Sequence, residues 1–329
     1  MGSSFVDGLA RVRHAVWLVV GLWLSTILLA LPLVVTLHGM LGEHLGASLA
    51  AETAASGVNF DWWNEFLAQA AGVGQTFVPA IIGFAAVIKN LSGIADAEHL
   101  PLVIASAVSA QIVVSMFLVG GVYDRLARDR AIGAGGFFQA CGIYFFRFLR
   151  LGVMAAAMYW LLFAKVHPWL FDTAFTWLTK DVTVERTAFF YRLGLYVFFG
   201  IAVLKTNLVF DYAKVRSVVE DRRSMIGALV GSIRFIWRNP GATLGLYTLN
   251  ALLFLAVIGL YALAVPDASA NMTAFLAGQI YIVLRVMVRL QFAASQIALF
   301  QSRLAHAGYV ARPLPVWPDS PAAEALGPN

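Results

Sequence analysis

Charged residues are scarce in this 329-residue chain: they make up 12% of it, whereas hydrophobic residues make up 60%. A soluble domain carries roughly a quarter charged residues, so the composition excludes an ordinary soluble globular protein. Cysteine is scarcer still, because Cys141 is the only one. A single cysteine excludes an internal disulfide and gives no cysteine pair for a metal, and we expect Cys141 to be a small packing residue.

Motifs of the common enzyme classes are also missing. The sequence has no phosphate-binding P-loop, no His-Glu-x-x-His motif and no Cys-x-x-Cys motif. The six histidines never fall at metal-ligand spacing. The glycine-rich stretch "GAGGFF", residues 133–138, lacks the partners of a dinucleotide site. We therefore predict a protein that is not an enzyme and that has no cofactor and no metal.

Long apolar runs are the main feature of the sequence. About twenty apolar residues cross a bilayer as a helix. Six runs are long enough: residues 15–37, 102–123, 151–169, 189–210, 242–264 and 272–300. A seventh run, residues 77–88, is too short to cross, so we predict a re-entrant or interfacial segment there. The predicted fold class is all-α, a polytopic membrane helix bundle with six transmembrane helices. Residues 1–311 form its single domain, and the proline-rich residues 312–329 form a flexible cytoplasmic tail.

The basic residues favour one orientation of the bundle. Fifteen of the 23 Lys and Arg residues fall on the side of the two termini, five fall on the opposite side, and three lie within spans. Because cytoplasmic segments carry the excess of Lys and Arg, both termini are predicted to be cytoplasmic. The first run is about twice as long as the apolar core of a signal peptide, so we expect a retained helix of a bacterial inner-membrane protein. The cations then face anionic lipid, and the pI near 9.4 needs no nucleic acid partner.

Two stretches on the predicted cytoplasmic side share an order of residues. Residues 122–150 and 209–241 each have an aromatic-Asp pair, an Asp-Arg pair, a glycine-containing turn and an aromatic segment with arginines. We predict two parallel helix–elbow–helix units, residues 102–162 and 189–264, each with a short helix in the headgroup layer. Alternatively, any two membrane hairpins share such residues at their inner ends. The arginines predicted to contact lipid phosphates are Arg147, Arg150, Arg234 and Arg238.

This paired arrangement resembles a broad group of six-span bacterial membrane proteins. The group includes the membrane portion that precedes the catalytic barrel of some glycerophosphodiester phosphodiesterases. The resemblance covers residues 102–264 and rests on the order of residues, since no diagnostic motif matches. It implies a paired-elbow fold close to lipid. The catalytic barrel has no counterpart in this chain, so the resemblance does not imply phosphodiesterase activity.

The segment "NFDWWNEFLAQ", residues 59–69, is predicted to be an amphipathic helix on the outer membrane surface. Phe60, Trp63, Phe66 and Leu67 fall on its apolar face. Alternatively, this helix only caps the bundle.

Polar residues within the apolar runs are the candidate functional residues. Arg285 and Arg289 are four residues apart, so they share one face of the sixth helix, with Arg285 near the midplane. A lone guanidinium there is costly, so both arginines are expected to face partners or water. Arg289 is predicted to pair with Asp211 or Asp124, at the inner ends of spans. The remaining candidates near mid-depth are Lys205, Asn207, Asn250 and Gln111.

These residues leave two functions open. The first is binding or transport of a lipid or anionic amphiphile through the polar, arginine-containing interior of the bundle. The alternative is a non-catalytic scaffold or accessory subunit, in which the polar residues only fix helix packing. The expected partners are membrane lipids with anionic headgroups and, for a scaffold, another protein.

Overall fold

The computed structural model describes residues 2–46, 48–56, 59–78, 83–130, 132–264 and 272–304. Every regular element within these ranges is helical. The α-helices in chain order are α1 Gly2–Arg13, α2 Val16–Leu45, α3 Ala51–Ser56, α4 Phe60–Gln69, α5 Gly83–Ala95, α6 Leu102–Arg128, α7 Ala134–Leu161, α8 Phe175–Thr179, α9 Glu185–Val219, α10 Met225–Arg238, α11 Pro240–Ala264 and α12 Met272–Arg303. Two stretches of π-helix, Leu162–Val166 and Trp169–Ala174, lie between α7 and α8.

Six helical segments of the described chain are long and apolar enough to cross a membrane. They are Val16–Leu45, Leu102–Arg128, Ala134–Thr179, Glu185–Val219, Pro240–Ala264 and Met272–Arg303. The first four extend beyond the apolar runs of the sequence by a turn or more, because polar and basic residues continue the helices past the hydrocarbon core. The prediction of an all-α polytopic membrane helix bundle is confirmed.

Helices α6, α9 and α12 end on one side of the bundle. We call this side the basic end, because Arg125, Arg216 and Arg303 lie in the last turns of these helices. The N-terminal helix α1 lies there too and packs along the second half of α12. Gly8 permits the approach, since a Cβ at this position would lie 2.8 Å from the backbone nitrogen of Ser295. The sequence did not predict α1 as a packed helix.

Side chains at the basic end bind the carbonyls that α6 leaves free. The last four carbonyls of a helix have no partner within it. Arg11 Nη1 of α1 donates to the Leu126 carbonyl at 2.9 Å. Gln301 Nε2 of α12 donates to the Ala127 carbonyl at 3.0 Å. These bonds hold α1, α6 and α12 together.

The two predicted elbow units differ in structure. In the second unit, α10 is separated from α11 at Asn239, whose φ is −132° and ψ is 47°. The break follows from Pro240, because proline lacks an N–H and disfavours the helical conformation of the residue before it. In the first unit, residues 137–150 are part of the single helix Ala134–Leu161. The prediction of a separate elbow helix there is wrong, since no proline interrupts this segment.

The ends of α6 and α9 nevertheless share an unusual backbone conformation. Asp129 and Asp221, from the two Asp-Arg pairs, have φ values of 46° and 48°. A left-handed residue after a helix allows its last carbonyls to be bonded, and Asp enters this region more readily than most side chains. Arg147 of the first unit also pairs with Asp221 of the second at 2.5 Å. That the two units are copies of each other stays a prediction.

Helix α10 has two different faces. Met225, Ala228 and Ser232 are buried against the bundle. Helix α10 joins α9 and α11, two of the helices that are long and apolar enough to cross a membrane. The outward face is an exposed apolar stripe: Ile226, Val230, Ile233 and Trp237.

At the opposite end of the bundle, α4 packs on the end of α2. Trp62, Trp63 and Phe66 are buried, and Trp62 Nε1 donates to His44 Nδ1 of α2 at 3.0 Å. Phe60, predicted on the apolar face, is exposed. Trp62 is buried instead, because the face of α4 that contains Trp62 is turned toward His44. In the structure α4 therefore caps α2.

The predicted short segment, residues 77–88, is described only in part, since residues 79–82 lie outside the described ranges. Helix α5, which begins in this segment and continues to Ala95, is about 20 Å long, which is less than the thickness of the hydrocarbon core. Beyond its end, Asp96 Oδ1 accepts a hydrogen bond from Tyr196 of α9 at 2.5 Å. This bond holds the pKa of Asp96 below its usual range. The predicted tail, residues 312–329, also lies outside the described residues.

Candidate functional site: a cationic cavity

An open cavity of about 440 Å³ lies between α2, α6, α9, α11 and α12. Its charged lining residues are Asp211, Lys214, Arg285 and Arg289. Its uncharged polar lining residues are Ser25, Thr26, Gln111, Ser115, Tyr123, Asn207, Tyr247 and Gln296. Aliphatic and aromatic side chains form the rest of the wall. The cavity therefore combines cationic groups with apolar surface.

Helix α12 supplies the two arginines from one face. Arg285, Arg289, Phe292 and Gln296 recur at intervals of four, three and four residues, and all of them line the cavity. Helix α12 spans Met272–Arg303, so Arg285 lies about 20 Å along the axis from its first residue. Both arginines are thus near the middle of a membrane-spanning helix.

Within the described chain, no carboxylate lies within 4.0 Å of the guanidinium of Arg285 or Arg289. The predicted partners are engaged elsewhere: Asp124 pairs with Arg128 at 2.8 Å, and Asp211 pairs with Lys214 at 2.9 Å. Each acid finds a cation three or four residues further along its own helix, which is the nearest position on a helical face. The predicted pairing of Arg289 with Asp211 or Asp124 is therefore wrong. Both arginine side chains are exposed to the cavity instead.

Two further predicted residues join the arginines in the cavity wall. Gln111 Nε2 donates to Ser115 Oγ at 3.2 Å, within α6. Asn207 Oδ1 accepts a hydrogen bond from the Tyr159 hydroxyl of α7. Lys205 does not line the cavity, although it is exposed on the same helix as Asn207.

Asn250 is another predicted residue that lies outside the cavity, and it joins helices. It is fully buried, and its Nδ2 donates to Ser295 Oγ at 2.9 Å. On the same side of α12, Gln291 Nε2 donates to the Phe5 carbonyl at 2.9 Å. Helix α12 therefore has two polar faces. One binds α1 and α11, and the other, with Arg285, borders the cavity.

Several cavity residues were not predicted as part of the site, and Lys214 and Gln296 are two of them. Lys214 was counted as a cation beyond the membrane, because the apolar run ends at residue 210, whereas α9 continues to Val219. Gln296 is 2% exposed, and neither polar atom of its amide has a hydrogen-bond partner in the described part of the chain. Its spacing of seven residues from Arg289 is the sequence signal that places it on the same face.

The four arginines predicted to contact lipid phosphates are placed differently. Arg147 forms an ion pair with Asp221. Arg150 is exposed at the surface of α7. Arg234 and Arg238 are exposed on α10 beside its apolar stripe, with no carboxylate of the described residues within 4.0 Å. That these arginines contact lipid phosphates stays a prediction.

Comparison with known proteins adds no relative: no family model, no curated protein and no solved structure matches this chain. The resemblance to six-span membrane proteins therefore stays a prediction. Among the described residues, no group of three His, Cys, Asp or Glu side chains is placed to hold a metal ion. The function is argued from the cavity itself.

Proposed function

We propose that this integral membrane protein binds an anionic amphiphile, with the headgroup at Arg285 and Arg289. One observation carries the proposal: two guanidinium groups border a cavity of about 440 Å³, and no described carboxylate lies within 4.0 Å of them. Cations at membrane depth are costly unless they face a partner or water. A bound anion supplies the partner that the described chain does not.

The rest of the lining supports an amphiphile over a simple ion. Leu118, Val122 and Phe254 are among the apolar residues of the wall, and they offer contact surface to an alkyl chain. The volume falls in the range of about 300–1,000 Å³ that is common for small-molecule sites. A headgroup and the first part of a chain fit such a space.

The position of the cations supports entry from the membrane surface. Lys214 lies five residues before the end of α9, near the basic end, whereas Arg285 is close to the middle of α12. The cavity connects these two depths. Transport of the amphiphile along this path is the wider form of the proposal.

A scaffold role is the alternative, and a different set of residues favours it. Asn250 and Gln291 hold α11 and α1 against α12, as residues that only fix packing are expected to do. Among the described residues, Arg285 and Arg289 have no such partner. Helix packing therefore explains one polar face of α12 and leaves the cavity face without a role.

We also propose that the protein lies in a bacterial inner membrane with both termini cytoplasmic. Support comes from α1, which packs on the second half of α12, so both ends of the described chain lie at the basic end. An excess of Lys and Arg is typical of cytoplasmic segments.

Native mass spectrometry of the full chain in mild detergent tests the binding proposal. We expect an anionic lipid to remain on the wild-type protein and to be lost when Arg285→Ala and Arg289→Ala are combined. Lys205→Ala is the matched control, since it removes a cation from a span but not from the cavity. A wild-type protein without lipid, or a double variant with the same lipid, would contradict the proposal.

A further inference from the structure

The charges of the cavity indicate the chemical class of the headgroup, provided that the proposed function holds. Lys214 has Asp211 at 2.9 Å, so this pair contributes no net charge. Arg285 and Arg289 remain, each without a described carboxylate within 4.0 Å. The cavity wall therefore carries two positive charges that no counter-charge of the described chain offsets.

A phosphate monoester matches this charge. Such a group carries about −1.5 to −2 charges at pH 7 and presents three terminal oxygens. A phosphate diester, a sulfate ester or a carboxylate carries a single negative charge. Of these four groups, only the monoester offsets both guanidinium groups with one headgroup.

The spacing of the arginines also fits one phosphate. Side chains four residues apart on a helix have Cβ atoms about 6 Å from each other. Each planar guanidinium can donate two parallel hydrogen bonds to phosphate oxygens. Two such groups on adjacent turns can converge on three terminal oxygens of a single headgroup.

Gln296 gives an independent indication of a polar ligand. It lies two turns beyond Arg289 on the cavity face, is almost fully buried, and has a donor and an acceptor without a partner among the described residues. Buried polar groups are normally hydrogen-bonded, so an amide in this state is an exception that a ligand would remove.

We propose that the ligand is an amphiphile that ends in a phosphate monoester. Arg285 and Arg289 hold the phosphate, and the chain lies along Leu118, Val122 and Phe254.

The test uses probes that differ in one property at a time. Octyl phosphate and octyl sulfate have the same chain and a similar headgroup shape but differ by about one charge, and inorganic phosphate has the charge without the chain. Their Kd values are measured by microscale thermophoresis on the delipidated full chain in a neutral detergent. We expect octyl phosphate to bind about tenfold more tightly than octyl sulfate. Inorganic phosphate should bind more weakly than octyl phosphate.

Variants of the two arginines show whether the preference arises in the cavity. Arg285→Gln and Arg289→Gln each remove one charge, so the ratio of the two octyl Kd values should fall towards one. Lys205→Gln should leave the ratio unchanged. The thermal unfolding midpoint of each variant, measured in parallel, shows that it is folded.

Each outcome has a separate meaning. Equal binding of octyl phosphate and octyl sulfate, lost in both arginine variants, would overturn the monoester inference and leave the proposed function intact. Binding of neither amphiphile, or binding that the arginine variants do not change, would overturn the proposed function itself. Inorganic phosphate that binds as tightly as octyl phosphate would overturn the role of the chain.

Discussion

At the scale of single residues, α12 separates polar side chains that build the fold from those that do not. Asn250 bonds to Ser295 across the α11–α12 contact and is fully buried. Arg289 is exposed and makes no ion pair with the described residues. The two side chains therefore differ in what their removal costs.

We expect Arg289→Gln to change the free energy of unfolding in detergent by less than about 0.5 kcal/mol, because no partner is lost. Asn250→Ala should destabilise the protein by about 1–2 kcal/mol, since two hydrogen bonds and packed volume disappear. Thermal unfolding followed by circular dichroism compares both variants with the wild type. Equal losses would mean that Arg289 also has a packing role.

The sequence predicted much of the candidate site at this scale. Helical spacing and depth along each apolar run singled out Arg285, Arg289, Asn207, Gln111 and Asp211, and all five line the cavity. These quantities do not tell which side of a helix faces the cavity, so they did not show that Lys205 and Asn250 lie outside it. The ion pair of Arg289 failed for another reason. Lys214 competes for Asp211 from the same helix face, and a local partner needs no precise packing of two helices.

At the scale of elements, α1 depends on a close approach that only a small residue permits. Gly8→Val should detach α1 from α12, because a Cβ at this position meets the Ser295 backbone at 2.8 Å. The reporter is Ser4→Cys in a Cys141→Ala background, since Ser4 is only 5% exposed. We expect maleimide labelling of this cysteine to be slow with Gly8 and at least about tenfold faster with Gly8→Val.

Gly2→Val is the control for this experiment, since a Cβ at Gly2 meets no atom within 4 Å. Equal labelling rates in the Gly8 and Gly2 variants would show that α1 is not held by this contact.

A second element, α10, is expected to lie in the headgroup layer with its apolar stripe towards the acyl chains. Spin labels are attached at Ile233→Cys, in the apolar stripe, and at Arg234→Cys, beside it. Power saturation should show greater oxygen access at residue 233 and greater access of a water-soluble relaxing agent at residue 234. Equal access of the polar agent at both positions would place α10 in water.

Elements were predicted where the sequence carries a strong local signal. Pro240 ends α10 because of its backbone chemistry, whereas the first predicted elbow has no such residue and continues as α7. The packed helix α1 was missed, although its buried residues Ser4, Gly8 and Val12 recur every four positions. The sequence shows this spacing, but it does not show that α12 packs against these residues.

At the scale of the whole molecule, the number of spans follows from the length of apolar runs, and the cavity does not. Five helices contribute to the cavity, and its existence depends on how their faces meet. Composition and periodicity describe each helix separately, so they predicted polar faces but no volume.

The proposed orientation has a direct test. In cells that carry a Cys141→Ala background, a membrane-impermeant maleimide should label Asp61→Cys from outside and should not label Arg13→Cys until the cells are opened. The reason is the excess of basic residues at the end where α1 lies. Both positions are exposed, so access to the reagent depends on the side of the membrane. The reverse pattern would place the termini outside.

The central claim is that Arg285 and Arg289 hold an anionic headgroup in the cavity between the long apolar helices. An experimental structure of the protein in nanodiscs with anionic lipid, compared with one in zwitterionic lipid alone, tests this claim most directly. The account predicts density for a headgroup between the two guanidinium groups, with a chain along Phe254, in the anionic nanodiscs only. A cavity without this density in both lipids, or arginines paired with carboxylates of the chain, would contradict it.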